Sequence, residues 1–121
     1  MKGFFKFGSP MIGIIFEDNN IVALLDTGFT GEIMLPENLI KEINLKQIGI
    51  SEYIGASGEI KQTKVFKAEI QFFGKTMEID VLSTEANFSL AGMELFHNCK
   101  ILIEMNKDIV EITESKSRTS P

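Results

Sequence analysis

From Phe66 to Val81 the chain alternates apolar and polar residues with a period of two, and this pattern most restricts what it can fold into. Phe66, Ala68, Ile70 and Phe72 alternate with Lys67, Glu69 and Gln71; Met77, Ile79 and Val81 then alternate with Glu78 and Asp80. Successive strand residues point to opposite faces, so each run offers one apolar face to a core and one polar face to water. Between the runs, Gly74-Lys75 suits a two-residue hairpin loop in which glycine takes a positive φ. Met11–Phe16 is a continuous apolar run, and Asp18-Asn19-Asn20 is a turn signal ahead of the apolar Ile21–Leu25. Ile101 and Ile103 lead through Asn106-Lys107-Asp108 to Ile109, Val110 and Ile112, a last hairpin. Two short helices are expected, over Pro36–Ile43 with proline in the first turn and over Gly92–Asn98. Many short strands with little helix predict an all-β barrel or sandwich-like domain.

At 121 residues and 44% apolar, the chain is long enough for one compact domain, expected over residues 1–113, with 114–121 a flexible polar tail. A formal charge of −5 argues against nucleic-acid binding, since nothing neutralises a phosphate backbone. Lys61, Lys64 and Lys67 are flanked by Glu59 and Glu69 and read as a solvated sheet face. Cys99 is the only cysteine, which excludes an intrachain disulfide and suits a reducing compartment; as a small buried hydrophobe it is no nucleophile. His97 is the only histidine, so no metal cluster of several histidines is available, and neither metal nor cofactor is expected. The segment Met1–Gly8 lacks the apolar core of a signal peptide, and no run approaches the roughly 20 residues of a membrane helix. A cytoplasmic protein with no membrane partner is expected.

The chemistry is concentrated at Ala23-Leu24-Leu25-Asp26-Thr27-Gly28-Phe29-Thr30-Gly31, where an apolar strand ends in a carboxylate followed by a hydroxyl residue and a glycine. Gly28 permits an abrupt turn, and such a turn presents backbone N–H groups to the Asp26 side chain. An acid at the mouth of a buried strand must be hydrogen-bonded, paired or put to use. Alone, the tripeptide is compatible with an aspartate that merely orders a turn. Its place between Ile21–Leu25 and the apolar Ile33-Met34-Leu35-Pro36 favours chemistry.

At these residues the chain resembles the retropepsin-like aspartic proteases. Leu24-Leu25-Asp26-Thr27-Gly28 matches their catalytic motif, and Leu90-Ala91-Gly92-Met93-Glu94-Leu95-Phe96 resembles their later hydrophobic-hydrophobic-glycine segment. Tyr53-Ile54-Gly55-Ala56-Ser57-Gly58-Glu59-Ile60 lies where they carry a flap hairpin. The resemblance implies an all-β acid-protease barrel with one or two short helices, acting on peptides. Aspartic proteolysis needs two carboxylates sharing a proton. With one Asp-Thr-Gly, the resemblance implies a C2 homodimer in which Asp26 of both subunits activates a water. Thr27 and Gly28 would scaffold the carboxylates, and Phe29, Ile54, Gly55, Ala56, Ser57 and Gly58 would contact substrate. Two departures stand out. Phe29 replaces the small residue usual after the motif, so no hydroxyl reaches the outer carboxylate oxygen from there and its ring is expected to narrow or line the cleft. The chain also continues past Ile101–Met105 with another strand, where retroviral enzymes build their dimer sheet, so a different dimer contact is expected. The alternative is a catalytically silent peptide-binding or dimerisation module on the same fold.

Overall fold

The computed structural model describes residues 1–54 and 57–115. Strands β1 (Phe4–Lys6), β2 (Ser9–Phe16) and β3 (Asn19–Leu25) form an antiparallel meander, and β4 (Ile33–Pro36) runs into helix α1 (Glu37–Glu42). A longer meander follows in β5 (Lys46–Ile54), β6 (Ile60–Phe72) and β7 (Lys75–Thr84). β8 (Ser89–Ala91) returns to the first meander, and β9 (Cys99–Glu104) pairs with β10 (Ile109–Glu114) in a separate hairpin. The main sheet runs β1-β2-β3-β8-β4-β7-β6-β5 and closes on itself where β2 also pairs with β6. The period-two pattern becomes burial: Ala68, Ile70 and Phe72 face the core while Glu69 and Gln71 face water. Ile12, Ile14 and Phe16 of β2 pack there with Ile33, Leu35, Ile79 and Val81. Each such side chain withdrawn from water stabilises the fold by about 1.5–3 kcal/mol.

The β9–β10 hairpin closes one end of this core through the buried Val110 and Ile112. Its β10 edge holds the N-terminal residues: Gly3 N–H donates to Val110 O at 2.9 Å, and Ile112 N–H to Met1 O at 2.8 Å.

The structure corrects four sequence expectations. The β6–β7 loop is Phe73-Gly74, one residue earlier than Gly74-Lys75, because Phe72 pairs with Lys75. Both loop residues have positive φ (53° and 74°), as a type I′ turn demands. Phe73 tolerates this strained region while its ring stacks edge-on against Phe72, with centroids 4.7 Å apart. The turn before β3 is likewise shifted, Asn19 and Asn20 lying within the strand. Gly92–Asn98 forms no α-helix but successive tight turns, the N–H groups of Leu95, Phe96 and His97 donating three residues back. Glu114 belongs to β10, and Ser115 N–H still bonds Asn98 O at 2.8 Å. Residues 116–121 of the expected tail lie outside the described residues. Among the described residues no helix is long and apolar enough to cross a membrane.

Candidate active site

Asp26 is the first residue beyond β3, and its position is set by β8. Leu25 pairs in parallel with Ala91, which pairs antiparallel with Ile33, so β8 lies between the strands entering and leaving the Asp26 loop. Asp26 N–H donates to Ala91 O at 2.9 Å. The carboxylate is fixed from its own turn: Gly28 N–H donates to Asp26 Oδ1 at 2.9 Å, and Phe29 N–H donates to Asp26 O at 3.2 Å. The expected turn, with an N–H aimed at the carboxylate, is therefore present. Asp26 is half-buried, while Thr27 and Gly28 are exposed.

The rest of the loop wraps around Gly92. Gly92 N–H donates to Glu32 O at 2.8 Å, Met93 N–H to Phe29 O at 2.8 Å, and Glu94 N–H to Gly31 O at 3.2 Å. This satisfies the loop's carbonyls with the segment after β8, as enclosed backbone requires. The contact leaves no space for side chains. A Cβ on Gly92 would lie 2.6 Å from Phe29 O, and one on Gly31 would lie 2.6 Å from the Phe29 ring. The Phe29 ring thus rests in the space two missing side chains leave. Both glycines were visible in the sequence, but their role required knowing that the two segments meet. Glu32 is a further residue that sequence reasoning missed. Its Oε1 accepts the Asp80 N–H at 3.0 Å and ties the loop to β7. Burial raises the Glu32 pKa, partly offset by that hydrogen bond.

A groove of about 580 Å³ opens beside the loop, lined by Gly28, Phe29, Thr30, Gly31, Ser51, Glu52, Tyr53, Ile54 and Leu82. Phe29 lines this groove and also braces the loop behind it. The groove brings Gly28, Phe29 and Ile54 together on one cavity wall. Over it reaches the β5–β6 hairpin, whose arms pair up to Ile54 and Ile60. Those two side chains are 76% and 71% exposed, an unusual concentration of apolar surface at a hairpin tip. Ser57 and Gly58 are exposed at the tip, with Gly58 at a φ of +82°. Gly55 and Ala56 lie outside the described residues. The Ser57 hydroxyl and the Lys61 ammonium hold the exposed Glu59 carboxyl below its usual range. Lower down, Thr63 Oγ1 donates to Ser83 O at 2.7 Å, a buried bond that anchors the hairpin to β7.

Among the described residues Asp26 forms no ion pair, and no three His, Cys, Asp or Glu side chains gather as metal ligands do. One chain thus supplies one oriented, half-buried carboxylate, and the residues that follow it in the loop line a groove shared with the hairpin, although Asp26 itself does not.

No protein-family model and no curated protein sequence matches the chain. Solved structures do. A retropepsin-like aspartic protease from Rickettsia conorii superposes with a TM-score of 0.68 at 22% identity, covering 94% of this chain and 88% of that one. The EIAV protease in complex with the inhibitor HBY-793 gives 0.63 at 16% identity, covering 74% and 86%. The simian foamy virus protease gives 0.51 at 20% identity, covering 68% and 86%. At these identities the likeness establishes the fold: the chain has the retropepsin-like all-β architecture inferred from its motifs.

Proposed function

We propose that the protein is an aspartic endopeptidase that works as a C2 homodimer. The observation that carries this reading is the half-buried Asp26 carboxylate, oriented by the Gly28 N–H at 2.9 Å in a loop of a retropepsin-like fold. Among the described residues that carboxylate accepts the Gly28 N–H of its own turn and forms no ion pair. Two copies of Asp26 across a twofold axis would share one proton, because two adjacent carboxylates do not both ionise cheaply. The ionised member takes a proton from a water held between them while the protonated member donates to the scissile carbonyl oxygen. The water oxygen bonds to the carbonyl carbon, giving a tetrahedral diol. Proton return to the amide nitrogen then breaks the C–N bond and releases acid and amine. No covalent enzyme intermediate forms.

In this reading the exposed Thr27 hydroxyls fix the two loops against each other across the axis. Gly28 leaves room for substrate backbone beside the carboxylate. Phe29 and Ile54 supply apolar walls for substrate side chains, and the hairpin tip at Ser57 and Gly58 closes over the peptide. Its exposed isoleucines gain from being covered, which favours extended apolar-flanked peptides. A peptide-binding module without turnover is the second reading, favoured by Phe29, which offers no hydroxyl to the carboxylate. Asp26→Asn separates the two. The variant should stay folded and dimeric while cleavage of a peptide library falls to background, and its binding of pepstatin should weaken. Undiminished cleavage would remove Asp26 from the chemistry. A wild-type dimer that binds peptides without cutting them would establish the module.

A further inference from the structure

The groove beside the Asp26 loop carries a charged residue that the proposed chemistry does not use. Four consecutive residues of β5, Ser51, Glu52, Tyr53 and Ile54, line it together with Phe29 and Leu82. Neighbours on a strand point to opposite faces, so a wall built from four in a row follows the strand itself rather than one of its faces. The pairing fixes which way each residue turns. Ser51 pairs with Thr63, which is buried against Ser83, so Ser51 and Tyr53 are on the inward face. Glu52 and Ile54 turn outward with their partners Gln62 and Ile60, and Glu52 is exposed. Its carboxylate thus stands at the rim of the groove. Glu52 is also the single charged residue in the lining. Among the described residues it forms no ion pair, although Lys61 is held by Glu59 at 3.4 Å and Lys67 by Asp80 at 3.0 Å. Gln62 opposite it carries no charge, and the base diagonal to it, Lys64, stands opposite Ile50 and forms no ion pair with it. A carboxylate set among the exposed Ile50, Ile54 and Ile60 serves neither strand propensity nor packing.

We propose that Glu52 is a specificity-determining residue, selecting peptides in which a lysine or arginine directly adjoins an apolar residue. An extended peptide in a groove that follows a strand alternates its side chains with the same period of two. Where one side chain enters the groove against Phe29 and Leu82, the next projects across the rim to Glu52. Lysine and arginine suit that place twice over. Their stems lie along apolar surface, here Ile54 and Ile60, while the charged head stays in water beside the carboxylate. An acidic side chain there meets a like charge. Gly28, whose N–H holds Asp26 Oδ1, lines the groove while Asp26 does not, so the groove receives residues that flank the scissile bond. The basic residue is therefore a flanking one. The formal charge of −5 adds a longer-range attraction for cationic peptides.

This preference rests on the reading that peptides occupy the groove, and it adds which peptides. Substrates carrying Lys, Gln or Glu beside a fixed apolar residue, placed in turn at each position flanking the cut, read it through kcat/KM. The wild-type protein should favour Lys over Glu by about tenfold at one such position, since an exposed ion pair gained and a like-charge contact avoided are each worth about threefold. The ratio should shrink in about 0.5 M salt. Glu52→Gln should bring it close to one, and Glu52→Lys should reverse it. Glu69→Gln removes the same charge from a water-facing position outside the groove and should keep the wild-type ratio. Circular dichroism on each variant guards against misfolding. Binding of the same peptides to Asp26→Asn, followed by fluorescence anisotropy, should show the same order of preference. Cleavage that ignores the charge, or a preference that survives Glu52→Gln, would overturn the role of Glu52 while leaving the protease reading intact. Charge-selective binding that Glu52→Lys reverses, without cleavage by any variant, would do the opposite. Peptides neither bound nor cut would overturn both.

Discussion

Adding a single methyl group at Gly92 should damage both stability and activity, although the residue carries no reactive atom. A Cβ there would meet Gly31 O, lie 2.5 Å from the Phe29 ring and 2.6 Å from Phe29 O. The ring can turn aside, but the oxygens cannot. Phe29 O accepts from Met93 N–H and Gly31 O from Glu94 N–H, while Gly92 itself donates to Glu32 O. Relief therefore requires the Asp26 loop and the segment after β8 to separate, stretching bonds that hold them together. Overpacking of this kind costs about 1–3 kcal/mol, and weakening one enclosed hydrogen bond adds about 1 kcal/mol. At about 4 °C per kcal/mol for a domain of this size, Gly92→Ala should lower Tm by roughly 8–16 °C. Thermal unfolding followed by circular dichroism reads this directly. Gly13→Ala is the control, since nothing lies within 4 Å of its added methyl, and it should stay within about 0.5 kcal/mol of the parent. Removing the ring in Phe29→Ala/Gly92→Ala should recover only part of the loss, because the two oxygens remain. Peptide cleavage should fall further than the unfolded fraction explains, since Asp26 N–H bonds Ala91 O next door. A Gly92→Ala protein melting within about 2 °C of the parent with unchanged turnover would refute the packing argument.

Two further outcomes follow from the ionisable groups. Burial holds the Glu32 carboxyl above its ordinary 4.5, so the ionised side chain opposes folding above that pH and has no such effect once protonated. Glu32→Gln, whose amide oxygen still accepts from Asp80 N–H, should therefore stabilise the protein at pH 7, with the gain shrinking as pH falls through the raised native value towards 4.5; a pH-independent difference in urea midpoint would contradict this. Burial and the nearby Glu114 raise the Cys99 thiol above its usual value, so iodoacetamide should label the native protein at pH 8 much more slowly than the urea-unfolded chain, and equal rates would show an open thiol.

Much of this architecture was legible in the sequence because strand signals are local. The alternation from Phe66 to Val81 needed no partner to be recognised, and the hairpin it predicts is present. Its loop lies one residue earlier than Gly74-Lys75, because a type I′ turn needs positive φ at both positions and Phe73 takes the first, leaving Gly74 the second. The helix expected over Gly92–Asn98 failed for a different reason. Its pattern of apolar residues suits a helix, but β9 begins at Cys99, whose N–H bonds Phe96 O, and the segment closes instead in successive turns with Leu95, Phe96 and His97 donating three residues back. Local propensity yields to backbone groups that must be satisfied elsewhere.

Phe29 shows the same limit at the site itself. Read along the chain, it is a bulky residue after Asp-Thr-Gly, and its chemistry is what it lacks, a hydroxyl for the carboxylate. In the fold it is paired with two absences, the side chains missing from Gly31 and Gly92, and its ring lies where either methyl would be. The residue that counts against ordinary catalysis is thus part of what fixes the Asp26 loop. A carboxylate pair needs rigid positioning more than an extra donor, because the proton it shares is governed by the distance between the two acids. Bracing the loop with a phenyl ring against glycine backbone gives that rigidity from apolar contact. The Asp-Thr-Gly tripeptide is legible by inspection, but the packing that supports it becomes visible only once β8 is seen to run between β3 and β4.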